Sequence, residues 1–188
     1  TRVVMFPYQP EIPIRETLMS KTNILTATDG TEQRIRVRKC PRQSFQLRLM
    51  EEDNDARRTM NVLLRGWHAR VFGVPIWWEC RNLSAGILEN DYTIQVDTRY
   101  ADFRVDGTAI VWASEEEYDS LTIDSLTDTT ITFQSPLSRD YDVTALVMPL
   151  RLAHMSEDLQ GGLYAKNLQE IQIKFDVIEN DVDIEDSS

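Results

Sequence analysis

A chain of 188 residues with 41% hydrophobic and 27% charged side chains has the composition of a folded protein, long enough to bury a core. These values exclude a wholly disordered chain, and no apolar run approaches the ~20 residues that a bilayer-spanning helix needs. The net charge of −11 is divided: residues 1–81 hold 14 Lys and Arg against 9 Asp and Glu, the remainder 6 against 22. No dominant basic face emerges from such a distribution, which argues against a general nucleic-acid binder and suits a subunit that stacks head to tail with its neighbours. The first residues lack a basic-then-apolar signal pattern, so the expectation is a protein made in the cytoplasm. Cys40 and Cys80 lie far apart, in no metal-ligand spacing, and read as reduced thiols.

In chain order, Pro7, Pro10 and Pro13 exclude a helix from the first 25 residues, and Ile24-Leu25 run into the turn-forming Asp29-Gly30. From Glu32 to Arg38, Ile35 and Val37 alternate with Arg34, Arg36 and Arg38, the period of a half-buried strand. Its expected hairpin partner is Ser44 to Met50, where Phe45, Leu47 and Leu49 share a parity. The period then changes: behind the acidic turn Glu51–Asp55, residues Ala56, Met60, Leu63, Leu64, Trp67 and Val71 recur at helical spacing. This predicts an amphipathic helix over about 53–71, stopped by Gly73 and Pro75 and held by packing onto a sheet. Pro75 to Cys80 reads as a returning strand.

After residue 81 the texture is all β. Tyr92, Ile94 and Val96 alternate, Ala109–Trp112 is an apolar run, and Leu121 with Ile123, Ile131 with Phe133 and Ala145 to Met148 mark further short strands. Strands of that length with Asp, Ser and Gly in the turns predict a small barrel or sandwich. Ile171, Ile173, Phe175 and Val177 then alternate with polar residues in a last strand. The expected fold class is mainly β: residues 1–81 with 151–180 form a discontinuous β-sandwich with one flanking α-helix, residues 82–150 an inserted small β-barrel module, and residues 181–188 an acidic tail.

Catalysis needs converging groups, and the sequence offers few. His68 falls in the predicted helix and His154 before the last strand; Cys40, His68, Cys80 and His154 are the right types for zinc, but their spacing gives no support. Nucleophile-elbow, phosphate-loop, zinc-protease and dinucleotide motifs are absent, and Glu115–Glu117 reads as a solvated run of like charge. No catalytic, cofactor or metal site is therefore expected. What stands out is tryptophan and arginine density, the composition of interface hot spots. Arg34, Arg36, Arg38, Arg42, Trp67, Phe72, Trp77 and Trp78 are the candidate interface residues, with core packing the competing reading for the aromatics.

Several of these stretches together carry a resemblance. They are Asp29-Gly30-Thr31-Glu32-Gln33-Arg34, Pro41-Arg42-Gln43-Ser44-Phe45, Gly66-Trp67-His68-Ala69-Arg70 and Gly73-Val74-Pro75-Ile76-Trp77-Trp78. With Tyr100-Ala101-Asp102-Phe103-Arg104-Val105 and Val147-Met148-Pro149-Leu150, the chain resembles the tail-tip proteins of long-tailed, siphovirus-type phages, in particular the distal tail and minor tail proteins. That resemblance implies a tail-tube-like β-sandwich that forms a ring, joins the tail tube to the adsorption apparatus and lets DNA pass, with no chemistry of its own. It implies as partners further copies of the chain (a hexamer favoured, a trimer possible), the tail tube protein, and hub, baseplate and fibre proteins, within the virion. Some related tip proteins hold an iron–sulfur cluster on cysteines; two cysteines cannot supply four thiolates, so no cofactor is carried over.

On this reading Arg34, Arg36 and Arg38 meet carboxylates of a neighbour, and charge reversal at Arg36 impairs assembly without unfolding the monomer, as sedimentation and thermal melting will test. Two alternatives differ in class. Residues 82–150 could be a host-surface carbohydrate- or receptor-binding module, with Tyr92, Tyr100, Trp112, Tyr118 and Tyr141 as an aromatic platform, or the chain could be a tail-associated hydrolase.

Overall fold

The structure, a computed structural model, describes residues 3–20, 22–26, 32–36, 41–51, 70–156, 160–165 and 168–178. In chain order the strands are β1 (Val3–Met5), β2 (Glu11–Met19), β3 (Thr22–Thr26), β4 (Glu32–Arg36), β5 (Arg42–Glu51), β6 (Val71–Pro75) and β7 (Arg81–Asn82). They continue with β8 (Thr93–Gln95), β9 (Thr108–Trp112), β10 (Tyr118–Leu126), β11 (Thr130–Phe133), β12 (Leu146–Met155), β13 (Gln160–Ala165) and β14 (Leu168–Val177). The fold is mainly β, and among the described residues there is no α-helix. These strands belong to two compact units, Thr1–Pro10 with Arg70–Leu152 and Glu11–Ala69 with Ala153–Ser188, as far as their residues are described.

In the first unit β9 pairs antiparallel with β12 on one side and β10 on the other, β10 with β11, and β11 with β8. β12 also pairs with β7, and an isolated bridge joins Leu83 to Val96. Alternation decides which side chains go inward. Ile94 and Val96, Ile123, Ile131 with Phe133, and Val147 are all buried and meet Leu83, Ile87, Phe103, Leu137 and Tyr141 in one apolar cluster. Burial at about 1.5–3 kcal/mol for each large side chain is what holds these short strands together. In β9, Ala109, Ile110 and Val111 are buried on both faces, which is why this strand reads as a continuous apolar run. β1 lies parallel to β6, with Val3, Val4 and Met5 opposite Val71, Phe72 and Gly73.

Gly107 closes the turn before β9, its N–H donating to Arg104 O at 3.0 Å. A Cβ at this position would lie 2.9 Å from that same carbonyl oxygen, a backbone atom that cannot swing away. Gly107→Ala is expected to lower stability by about 1–3 kcal/mol, measured by urea unfolding.

In the second unit β5 is central, antiparallel to β2 on one side and to β14 on the other, and β13 and the end of β12 pair with β14. Phe45, Leu47 and Leu49 lie opposite Phe175, Ile173 and Ile171, and all six are buried. Gln46 and Arg48 alternate with them and pair across to Lys174 and Gln172. β3 and β4 form a separate two-stranded sheet, with Thr22 opposite Arg36 and Thr26 opposite Glu32.

Three expectations change here. β5 is the predicted partner of β4, but β4 pairs with β3 while β5 lies between β2 and β14; β5 and β14 are long alternating strands whose complementary apolar faces gain more by pairing with each other. The helix predicted over about 53–71 falls, for residues 52–69, outside the described residues; at its end, Val71 already begins β6, where all five residues are buried. The strand predicted over Pro75 to Cys80 gives way after Pro75 to a 3-10 turn at Trp77–Glu79, so Trp77 and Trp78 do not alternate as strand neighbours.

Candidate functional site

The candidate interface residues divide by position. Arg34 and Arg36 lie on β4, at register positions opposite Ile24 and Thr22. Arg42 is exposed at the start of β5, opposite Met19. Trp78 is partly exposed, whereas Phe72 and Trp77 are buried in the first unit. Phe72 meets Phe6 edge to face at 6.4 Å, and Trp77 meets Trp112 at 5.3 Å with an interplanar angle of 83°. A ring used in this way holds the unit together and offers no surface to a partner, so both are core residues; the sequence cannot separate a buried tryptophan from an exposed one at neighbouring positions. Arg38 and Trp67 lie outside the described residues, as do Cys40, His68 and the acidic residues from Asp181 onward.

The residues of the expected aromatic platform differ in burial, and Trp112 and Tyr118 lie opposite each other across β9 and β10. Tyr141 is buried and Trp112 donates its indole N–H to Pro7 O at 3.0 Å, while Tyr92 and Tyr100 are exposed. Burial pushes the Tyr141 hydroxyl well above its ordinary pKa, the Asp119 carboxylate adding to the effect, and burial raises Tyr118 as well. Neither phenol is placed to act as an acid or base near neutral pH.

A charged network in the first unit was not legible in the sequence. Arg151 on β12 is 4% exposed; its Nη2 donates to Asp102 O at 2.8 Å and to Asp102 Oδ2, and its Nη1 to Leu150 O at 3.1 Å. Arg104 donates to the same carboxylate from Nε at 2.9 Å and from Nη2 at 2.5 Å, and the Asp102 N–H donates to Glu79 Oε2 at 2.6 Å. Burial alone would raise the pKa of Asp102, but the hydrogen bonds and charges of Arg104 and Arg151 outweigh it and hold the carboxyl below its ordinary value.

The same loop carries a second fixed turn. Asp97 accepts from Arg99 N at 3.1 Å, Nε at 3.0 Å and Nη2 at 2.9 Å, and these bonds hold its carboxyl at about 2. Arg81 Nη2 donates to the carbonyls of Arg99 (3.4 Å) and Tyr100 (3.3 Å), and the Thr98 hydroxyl to Thr127 O at 2.6 Å. All these side chains orient backbone or one another.

In the second unit a cleft of about 350 Å³ is lined by Pro13, Ile14 and Leu47 and by the polar ends of Arg15, Gln46, Arg48 and Gln172. Arg48 Nε lies 2.8 Å from Glu170 Oε1, which accepts from Gln172 Nε2 at 3.2 Å. Along one rim runs β2, which pairs with β5 on one side; no other strand pairs with it among the described residues. Nearly all of β2 is exposed, including the apolar Ile12, Leu18 and Met19. Pro10 before it and Pro13 within it mark the stretch as extended chain, yet the edge position has no sequence signal, because it depends on which strands the others choose.

Among the described residues no group of three or more His, Cys, Asp and Glu is placed to hold a metal ion, and no helix is long and apolar enough to cross a membrane. No protein-family model matches the chain, and a search of curated proteins finds no match.

Proposed function

We propose that the chain is a structural subunit of a phage tail tip, of the distal tail or minor tail type, which assembles into a ring between the tail tube and the adsorption apparatus and lets DNA pass through its lumen. On this reading it acts by assembly rather than catalysis and resides in the virion, after synthesis in the host cytoplasm. Its partners are further copies, the tail tube protein, and the hub and fibre proteins. Its finer architecture is a tail-tube-like sandwich with a flanking helix and a small barrel.

The observation that carries the reading is β2. Among the described residues β2 is paired on one side only; its first part carries Glu11, Pro13, Arg15 and Glu16, the charge and proline with which natural edges are blunted, so the template left for another chain is its end, where Leu18 and Met19 are exposed. In a closed ring every copy covers the edge of the next, and the liability becomes the joint. Native mass spectrometry of the purified chain tests the proposal: a closed hexamer or trimer is expected, and a monomer at all concentrations sinks it.

A second reading, a host-surface carbohydrate or receptor binder, draws on the exposure of Tyr92 and Tyr100. Glycan-array signal from a chain that forms no rings would favour it.

A further inference from the structure

Tyr100 holds a backbone conformation that its residue type disfavours. The turn Thr98–Ala101 is closed by Ala101 N–H to Thr98 O at 3.4 Å, and Tyr100, at its third position, has φ 64°, where glycine or asparagine is the usual choice. Asn90 and Asp106, the other described non-glycine residues with positive φ, are of types that tolerate it. Tyr100 is 92% exposed, so no packing among the described residues compensates for its placement. Meanwhile the turn is pinned from beneath, by Arg81 on the carbonyls of Arg99 and Tyr100 and by Asp97 on Arg99. An aromatic side chain fixed at the apex of a rigid, disfavoured turn and left in solvent is presented for something outside the chain.

The chemistry around it favours a protein over a sugar. A carbohydrate subsite surrounds its aromatic platform with unspent polar groups, and here the neighbouring carboxylate, guanidinium and carbonyl groups are spent on each other. A convex knob whose polar groups are already satisfied suits insertion into a small pocket with apolar walls. The second unit contains such a pocket. The cleft at β2 offers Pro13 and Ile14 for the ring, Arg15 for its π face and the amide of Gln46 for the hydroxyl, while Arg48 and Gln172 are held by Glu170. Its volume of about 350 Å³, at the small end for ligand pockets, leaves room for an aromatic side chain.

We infer that Tyr100 of one copy seats in the β2 cleft of the next, a head-to-tail contact of the kind that generates rings. This deepens the assembly reading and rests on it: the joint has a knob from one unit and a hole from the other, beside the edge of β2.

The test uses the full chain and four preparations, followed by native mass spectrometry and sedimentation. Wild type should assemble. Tyr100→Gly should lose assembly, with self-association weakened about thirtyfold or more as for an interface hot spot, while its melting temperature stays equal or rises because glycine suits the turn. Gln172→Trp, which fills the cleft at an exposed position, should lose assembly as well, and Tyr100→Phe should keep it. Mixed one to one, Tyr100→Gly retains a working cleft and Gln172→Trp a working knob, so the pair should form dimers and no ring. Rings from Tyr100→Gly equal to those of wild type, or a mixture that fails to pair, overturn this joint and leave the assembly reading standing; a monomeric wild type overturns both.

Discussion

Replacing Asp102 by alanine is expected to destabilise the first unit by about 3 kcal/mol, while replacing its partner Arg151 by methionine leaves stability unchanged or raises it. The asymmetry follows from burial. Arg151 is 4% exposed and Asp102 is partly open to solvent, so loss of the carboxylate strands a buried guanidinium with only the carbonyls of Asp102 and Leu150. Loss of the guanidinium leaves Asp102 paired with Arg104 at the surface, and a methionine fills much of the vacated volume. Because Asp102 is partly screened, the expected cost lies at the lower end for a broken buried pair. The double variant should recover most of the loss, and urea unfolding of all four proteins at pH 7 checks the cycle. A loss in Arg151→Met as large as that in Asp102→Ala would show that the ion pair is net stabilising and overturn the expected asymmetry.

The same pair sets a pH dependence. With its pKa held below the ordinary value by Arg104 and Arg151, Asp102 binds its proton more readily in the unfolded chain than in the folded one. Its contribution to stability is therefore fully present above the unfolded value of about 4 and is lost as pH falls through the depressed folded value. Acid unfolding of wild type should be steeper below pH 4 than that of the Asp102→Ala/Arg151→Met double variant.

Local period made part of this fold legible. Ile94 and Val96, Ile131 and Phe133, and the run Ile171 to Val177 alternate in the sequence and are buried in strands, because a strand with one face on a core must repeat every second residue. Pro149 concealed the length of β12, which continues through it to Met155. Partner choice was not legible: β4 and β5 both alternate, and nothing local says that one takes β3 and the other β2 and β14. The site was hidden for the same reason. Asp102 and Arg151 are 49 residues apart, Tyr100 looks ordinary until its φ is known, and Ile12, Leu18 and Met19 gain meaning only once β2 proves to be an edge. Composition pointed to tryptophan and arginine, but a count cannot tell that Trp77 is spent on Trp112.

Leu18→Lys combined with Met19→Glu is expected to abolish assembly while leaving the monomer's stability within about 0.5 kcal/mol of wild type. Leu18 is 61% and Met19 52% exposed, so the substitutions remove little buried apolar area from the chain itself. Both lie where β2 pairs with β5, Leu18 opposite Gln43 and Met19 opposite Arg42, and that ladder is made by backbone groups that neither change touches. An approaching strand meets a different surface. It would have to bury a lysine stem and a carboxylate on consecutive residues, one on each face, which is how natural edge strands refuse a partner. Thermal melting and sedimentation on the same samples separate the effects: an unchanged melt with loss of rings assigns the joint to this edge. Rings of wild-type size with both charges in place would mean that the end of β2 lies outside every contact, and the joint would have to be sought elsewhere on the chain.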